Sequence, residues 1–297
     1  MRPTDHEVAA RAVKGDLATL EAGLDALEAK TTASVPVVRR IVQSSIPAIV
    51  AIVAVGSLWQ LLYVLRIWPD WKFPGPVDVW RSLRDQWQQG LVWSAVSNSV
   101  SRGLIGFVLS TLIATPIAIA IARVRAVRAV LRPILGGLQQ LPSVAWVPAA
   151  IIWFGLTPQT IYTVVILGAT PSIANGLVNG IDQIPPLLLR ASRVLGLGKF
   201  DTIARVVLPA ALPGYLSGLE QGWAFAWRSL MAAELIAISP ALGNGLGQTL
   251  ETGRQLGDMS LIVTAILLIL AAGILVEKLG FAPIRRRVYR NRGLTLE

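Results

Sequence analysis

Long runs of uncharged residues recur along the chain and are separated by short polar segments. They cover residues 41–65, 103–122, 133–181 and 259–276. A helix that crosses the roughly 30 Å hydrocarbon core of a bilayer needs about 20 mainly apolar residues. The first, second and fourth runs are therefore single candidate spans. The third run is too long for one span, and the turn-forming residues Gly155–Pro158 divide it into two.

One more apolar segment, near 211–236, contains Glu220, Arg228 and Glu234 and completes the pattern. The sequence thus predicts an all-α, polytopic membrane protein with six transmembrane helices. The predicted spans lie near 41–65, 100–122, 135–154, 159–180, 211–236 and 259–278. Around them we expect a cytoplasmic leader (1–40), a six-helix transmembrane domain (41–281) that contains a cytoplasmic loop (182–209), and a basic cytoplasmic tail (282–297).

The composition supports a membrane protein and argues against an enzyme. Hydrophobic residues make up 54% of the 297 residues and charged residues 15%, and the mean hydropathy is +0.60. Soluble domains carry about 25% charged residues. The chain has no cysteine, and its one histidine is His6 in the leader. Thiol chemistry, Ser–His catalysis within the membrane and His- or Cys-ligated metal sites are therefore excluded, and we predict no catalytic residue and no metal ligand.

The positive charges lie mainly on one side of the predicted spans. Of 27 Lys and Arg residues, 20 fall in the leader, in 123–132, in 182–206 and in 278–297. Because cytoplasmic loops are enriched in Lys and Arg, this bias predicts that both termini face the cytoplasm of a bacterial plasma membrane. The net charge of +10 then reflects topology, and nucleic acid is not an expected partner.

Two flanking segments have amphipathic or interfacial patterns. The leader has capping-box spacing at Thr4–Glu7 and a leucine stripe from Leu17 to Leu27, which predicts a short amphipathic helix on the membrane or a partner, with a coiled-coil or regulatory role as the alternative. The outward segment 67–94 holds five tryptophans. Tryptophan is typical of the headgroup region, and contact with an external partner is the alternative.

Charged and polar residues within the predicted spans are candidates for a translocation path. A charge at the bilayer centre costs roughly 2.5–3.5 kcal/mol, so Arg228 and Glu234 face other helices, a partner subunit or a watery path. Arg228 could contact a small anion, because a guanidinium suits sulfonate or carboxylate geometry. Trp153 and Asn175 are further path candidates. The alternative for Trp153 is packing, and the alternative for Asn175 is a hydrogen bond between helices. We expect Arg102 to extend toward the lipid headgroups.

The loop between the fourth and fifth spans predicts an apolar helix–turn–helix. Pro185 and Pro186 suit a helix start, Gly196 and Gly198 permit a sharp turn, and a second short helix begins near Phe200. An apolar helix that projects into the cytoplasm suits a helix-in-groove contact with another protein.

This loop resembles the EAA motif of bacterial ABC importer permeases, in which a Glu-Ala-Ala triplet precedes a glycine and Ile-x-Leu-Pro follows. Two of the three triplet positions differ here, since Arg190 replaces the acidic residue and Ser192 the second alanine. The resemblance implies an ATPase-coupling loop at these positions, whose residues are Arg190, Ala191, Ser192, Gly196, Gly198, Val206, Leu208 and Pro209.

Other segments resemble the nitrate/sulfonate/taurine/bicarbonate branch of these permeases in the same order. They are FPGPVDVW, SVSRGLIGF, PSVAWVPAAIIWFGLTPQ, TPSIANGLVNGI and VVLPAALPGYLSGLEQGWAFAW. The resemblance covers roughly residues 58–291 and implies a type I importer (MetI-like) permease fold. It also implies a second permease subunit, expected to be a copy of this chain, two ATP-binding subunits on the loop, and an external solute-binding protein.

The resemblance further implies that ATP and Mg²⁺ bind to the partner subunits. The only P-loop-like stretch in this chain has Phe200 where Ser or Thr is required after Gly198-Lys199, so we expect this chain to bind no cofactor. The implied function is import of a small anionic or zwitterionic solute of the aliphatic sulfonate, taurine or nitrate type. An ion-coupled secondary transporter is the alternative, although it leaves the apolar loop unexplained and no internal repeat is found.

Overall fold

The structure, a computed structural model, describes residues 37–290, and these divide between Leu65 and Arg66 into two units. The described part of the first unit is one helix, α1 (Val37–Val64), which is apolar and contains Pro47. The predicted leader helix at Thr4–Leu27 and the end of the tail lie outside the described residues.

The described part of the second unit is entirely helical and contains ten further α-helices longer than one turn. A 3₁₀ turn (Ser143–Trp146) precedes α5, and a short helix (Lys199–Thr202) followed by a π-helical segment (Ile203–Val207) precedes α8. Another π-helical segment (Glu277–Phe281) joins the last two helices. The helices are α2 (Pro76–Gln88), α3 (Leu91–Arg123), α4 (Arg125–Gln140), α5 (Val147–Phe154), α6 (Pro158–Asp182), α7 (Pro186–Val194), α8 (Leu208–Ile236), α9 (Leu246–Leu256), α10 (Met259–Val276) and α11 (Ala282–Arg290).

Helices α6 and α8 form the centre of this unit because glycines let their backbones touch. A Cβ atom built on Gly176 would lie 2.3 Å from the Cα of Gly218, and one on Gly214 would lie 2.5 Å from the Cα of Gly180. Both helices thus carry small residues four positions apart on their shared face, as close helix pairs in membranes do. Helix α3 packs against α6 on another side, where Gly106 lies against Val165.

Four described helical stretches are long and apolar enough to cross a membrane. They are Leu91–Arg123, Pro158–Asp182, Phe200–Ile236 and Met259–Arg290. Their positions match four of the predicted spans, but three of them extend well beyond the predicted bounds. The last stretch includes α11, so the predicted tail begins as a helical continuation of the sixth span. The total of six spans stays a prediction.

The predicted third span, 135–154, is not one continuous helix. Helix α4 ends at Gln140, Leu141 is extended (φ −78°, ψ 124°), and a 3₁₀ turn leads into the short helix α5. The physical reason is Pro142, because proline pushes the residue before it out of the helical region and has no N–H to donate. The uncharged run therefore indicated an apolar segment correctly, but it did not indicate the break in the helix at Leu141.

Candidate functional site: the projecting loop, the polar cleft and the buried ion pair

The predicted helix–turn–helix is present, and its turn depends on Gly196. Helix α7 ends in a Schellman motif, in which the Gly196 N–H donates to the carbonyl of Arg193 and the Leu197 N–H to that of Ser192, both at 3.0 Å. Gly196 has φ +70°, a conformation that glycine adopts without strain. Gly198 has no positive φ and has room for a Cβ atom. Of the two glycines that were expected to permit the turn, only Gly196 adopts the conformation that favours glycine.

Helix α7 has an inner face and an exposed apolar face. Ser192 is buried and donates to the carbonyl of Leu189 at 3.0 Å, whereas Arg190 and Ala191 are exposed. Large apolar side chains cover the outer surface of this loop, and we call them the apolar loop face. Its members are Leu187, Leu188, Val194 (87% exposed), Leu195 and Phe200 (81% exposed).

The second half of the loop continues without a break into α8. The Leu208 N–H donates to the carbonyl of Ile203, five residues back, so the segment is π-helical where Val206 lies. Pro209 has no N–H and cannot donate to Arg205, the residue four positions earlier. A local π-helical segment is one way in which a helix accommodates such a position. Arg205 lies on the surface, 3.1 Å from Asp201.

A polar cleft of about 440 Å³ opens between α4, α6 and α8. Amide side chains dominate its wall, and two of them are hydrogen-bonded to each other, since Asn175 Nδ2 donates to Gln139 Oε1 at 2.8 Å. Gln139 in turn donates to Ser172 Oγ at 2.9 Å. The polar side chains that line the cleft are Gln139, Asn175, Asn179, Gln183, Ser217, Gln221 and Tyr289.

Among these cleft residues, only Asn175 was a path candidate predicted from the sequence. Asn175, Asn179 and Gln183 are four residues apart, as are Ser217 and Gln221, so each set lies on one face of its helix. This repeated polar spacing within apolar spans was the signal that could have identified the cleft. That α4 also contributes Gln139 could not be read from spacing, because it depends on how three helices pack.

The other path candidates lie outside the cleft. Arg228 is exposed on α8 seven residues after Gln221, hence on nearly the same face, and its guanidinium lies 5.4 Å from the centre of the Phe225 ring. Trp153 is exposed at the end of α5 and contacts Phe154 edge to face, with ring centres 6.4 Å apart. Neither Trp153 nor Arg228 therefore lines the cleft that contains Asn175.

Glu234 is completely buried and forms an interhelix network, which is the structural alternative that the sequence left open. Its carboxylate accepts hydrogen bonds from Ser99 at 2.7 Å, from Arg102 at 2.8 Å and from the Gly247 N–H at 3.1 Å. Ser99 Oγ also accepts from the Leu246 N–H at 2.9 Å. The network joins α3, α8 and the N-terminus of α9.

The expectation that Arg102 extends to the lipid headgroups is wrong. Only 12% of its side chain is exposed, and besides Glu234 its guanidinium contacts the backbone carbonyl of Leu242. A buried carboxylate needs a nearby cation and hydrogen-bond donors, and Arg102 supplies the cation. It thereby also fastens the segment between α8 and α9.

The remaining acidic residue of α8 is paired as well. Glu220 accepts two hydrogen bonds of 3.0 Å from Arg285 on α11, so this charge also has an interhelix partner. Within residues 37–290, no group of three or more His, Cys, Asp or Glu side chains could hold a metal ion.

Comparisons with known proteins agree with this architecture. Residues 92–288 match the family described as the binding-protein-dependent transport system inner membrane component. The taurine transport system permease protein TauC of Escherichia coli is 26% identical over 237 residues, which are 78% of this chain and 84% of that protein. The bicarbonate transport system permease protein CmpB of Synechococcus elongatus is 28% identical over 233 residues, 74% and 82% of the two chains.

A solved structure of the MetNI methionine ABC transporter in an inward-facing conformation has the same fold. The similarity has a TM-score of 0.54 at 22% identity and covers 67% of this chain and 96% of that one.

The helical bundle with several apolar helices long enough to cross a membrane is the architecture of a multi-pass membrane protein. The family match covers most of the chain, so the chain belongs to the inner membrane components of binding-protein-dependent transport systems. It is the permease subunit of an ABC importer, a class that works with ATP-binding and solute-binding partners. The alternative of an ion-coupled secondary transporter is therefore wrong.

Proposed function

We propose that the apolar loop face is the surface on which an ATP-binding subunit docks. The observation that carries this proposal is the exposure of Leu187, Val194, Leu195 and Phe200 on one projecting loop. An apolar helix face of this kind suits insertion into a groove of another protein. The Schellman turn at Gly196 fixes the angle between α7 and the following helix, so the face is presented as a rigid unit.

Two copies of this chain pair in the assembly that we propose, and each copy carries one ATP-binding subunit. ATP and Mg²⁺ bind to those subunits, and this chain transmits their movement through α7 and the continuous helix from Phe200 to Ile236. The enrichment of basic residues on the side of the loop supports a cytoplasmic position for the loop and both termini. An external solute-binding protein delivers the solute on the opposite side.

The proposed solute is a small anion or zwitterion of the sulfonate, taurine, bicarbonate or nitrate type. The taurine and bicarbonate permeases among the relatives support this class. The polar cleft adds physical support, because its uncharged amides both donate and accept hydrogen bonds and its wall has no acidic side chain that would repel an anion. Arg132 donates to Asn179 of the cleft at 3.3 Å, and Arg228 lies on nearly the same face of α8 as Gln221, seven residues later.

Replacing Val194 by Asp tests the docking surface. A charge buried in an apolar groove is strongly unfavourable, and side chains at the centre of an interface contribute about 2 kcal/mol or more. We therefore expect the variant to retain at most about a tenth of the ATP-binding subunit when the full complex is purified. ATP-driven uptake in vesicles supplied with the external binding protein falls in parallel, measured with taurine, ethanesulfonate, bicarbonate and nitrate.

Val77→Asp is the matched control, because Val77 is an exposed apolar residue on α2, away from the loop. It should retain the ATP-binding subunit. Unchanged retention in the Val194 variant would contradict the proposed docking surface. Uptake of none of the four solutes by an intact, ATP-hydrolysing complex would contradict only the proposed solute class.

A further inference from the structure

A second cavity, of about 430 Å³, lies between α7 and the ends of the membrane-spanning helices. Its walls are mainly apolar and come from α3, α6, α7 and the start of the helix that follows the loop. Ile119, Ile184 and Leu189 lie among the apolar lining residues. This cavity faces the inner side of α7, so it is separate from the apolar loop face and from the polar cleft.

Two arginines border this cavity, and neither has an acidic partner among residues 37–290. Arg123 lies in the last turn of α3 and Arg193 in the last turn of α7, and both are exposed residues that line the cavity. The nearby acidic residues are already engaged, since Asp182 pairs with Arg128 and Arg132 and Asp201 pairs with Arg205. The cavity therefore combines an apolar interior with two uncompensated positive charges.

The surface of α3 leads to the same place. Ile105, Val108 and Leu112 are exposed apolar residues, and their spacing places them on one face of the helix. Ile119 lies seven residues after Leu112, and Arg123 lies eleven residues after Leu112. The apolar face of α3 therefore continues into the cavity wall and ends at Arg123. A molecule with a long apolar chain and an anionic end would match this order of surfaces.

We propose that this cavity binds an anionic phospholipid of the adjacent leaflet. One acyl chain lies along the exposed face of α3 and enters the cavity past Ile119, and the phosphate lies between Arg123 and Arg193. Basic pockets between transmembrane helices are suited to anionic headgroups. A bound lipid would brace α7 against the membrane-spanning helices from its inner side, while the outer side stays available for a protein partner.

Lipid binding by the full-length chain in a neutral, lipid-free detergent tests this proposal. Dioleoyl phosphatidylglycerol and dioleoyl phosphatidylcholine are compared by native mass spectrometry and by the shift of the thermal unfolding midpoint. We expect phosphatidylglycerol to bind with a defined stoichiometry and phosphatidylcholine to bind weakly. Because each arginine near the membrane surface contributes about 1 kcal/mol, the double variant R123Q/R193Q should bind phosphatidylglycerol roughly thirtyfold more weakly.

The control R286Q/R287Q removes the same amount of charge from two exposed arginines of α11 and should bind as the unaltered chain does. Ala122→Phe, which fills the apolar part of the cavity and keeps both arginines, should also weaken binding.

Equal weakening in both arginine pairs, or undiminished binding by Ala122→Phe, would overturn the proposal. So would an equal response to soluble glycerol 3-phosphate, which would indicate a site for a free anion. If Ala122→Phe does not fold, the comparison of the two arginine pairs still decides. None of these readouts depends on transport or on an ATP-binding subunit.

Discussion

The ion pairs of this protein differ widely in burial, and therefore in how much stability is lost when one partner is removed. Glu234 is completely buried with one cation beside it, whereas Asp78 pairs with the largely exposed Arg81 at 3.4 Å. A buried pair resists removal of one partner, because the remaining charge is left without compensation. An exposed pair contributes at most about 1 kcal/mol.

Replacing Arg102 by Met should lower the free energy of unfolding by about 3–5 kcal/mol, because Glu234 then remains buried without its cation. Denaturant titration in mixed micelles measures this change. Arg81→Met is the control and should change stability by less than about 1 kcal/mol. The double variant R102M/E234L removes both charges and should be more stable than Arg102→Met alone. A double variant no more stable than that single variant would show that charge compensation is not the role of Arg102.

Glu251 on α9 provides a stability effect that depends on pH. Hydrogen bonds from Arg254, of which the one from Nε measures 2.6 Å, and from Gln255 lower the pKa of its carboxyl group below the ordinary value of 4.5. A lowered pKa in the folded state stabilises the fold above the unfolded-state pKa, and the contribution is lost as the pH falls through the folded-state pKa.

We therefore expect the unaltered chain to be more stable than the Glu251→Gln variant at neutral pH. The difference should shrink only when the pH falls below 4.5 and disappear below the folded-state pKa. Thermal unfolding of both proteins across this range measures the difference. A stability difference that is the same at all pH values would mean that Glu251 acts through shape or neutral hydrogen bonds.

Among the helices, the pair α6 and α8 depends most on small residues. Gly176, Gly180, Gly214 and Gly218 let the two backbones meet, and a Cβ atom on Gly218 would lie 2.7 Å from the Cα of Gly176. Backbone atoms cannot move aside as a flexible side chain can, so an added methyl group has to push the helices apart. The close approach also brings the polar sides of both helices to one cleft.

Replacing Gly218 by Ala should therefore destabilise the protein by about 1–3 kcal/mol and widen the polar cleft. Gly136→Ala is the control, since nothing lies within 4 Å of a Cβ atom at Gly136 in α4. Because alanine favours a helix over glycine, the control should be neutral or stabilising by up to about 1 kcal/mol. Denaturant titration of both variants measures the difference. Equal stability of the two variants would contradict the close packing of α6 and α8.

Over the whole molecule, the ion pairs seen in the structure are consistent with the uneven distribution of positive charge along the sequence. Acidic residues next to basic segments are paired, as Asp182 is with Arg128 and Arg132, which leaves further arginines of those segments uncompensated. Positive charge therefore accumulates where the α7 loop projects. The same loop presents the apolar loop face outward and lines the arginine-bordered cavity on its inner side.

The sequence predicted the all-helical membrane fold, four of the described spans and the projecting loop. These properties depend on local composition and periodicity, because a run of about 20 apolar residues has few alternatives to a helix in a bilayer. The break at Leu141 was also a local property, since Pro142 is visible in the sequence, but the uncharged run outweighed it. The Gly196 turn was predicted correctly for the same local reason.

Which polar residues meet depends on the packing of the helices and is visible only in the folded protein. Arg102 and Glu234 are 132 positions apart, and no spacing rule connects them, so the sequence alone assigned Arg102 to the headgroups. The polar cleft, the paired Glu220 and the arginine-bordered cavity likewise depend on how helices that are distant in sequence pack together. A sequence determines which faces are apolar, polar or small. Which face meets which is set by the packing of the whole bundle, because burial and charge compensation are properties of contacts between helices.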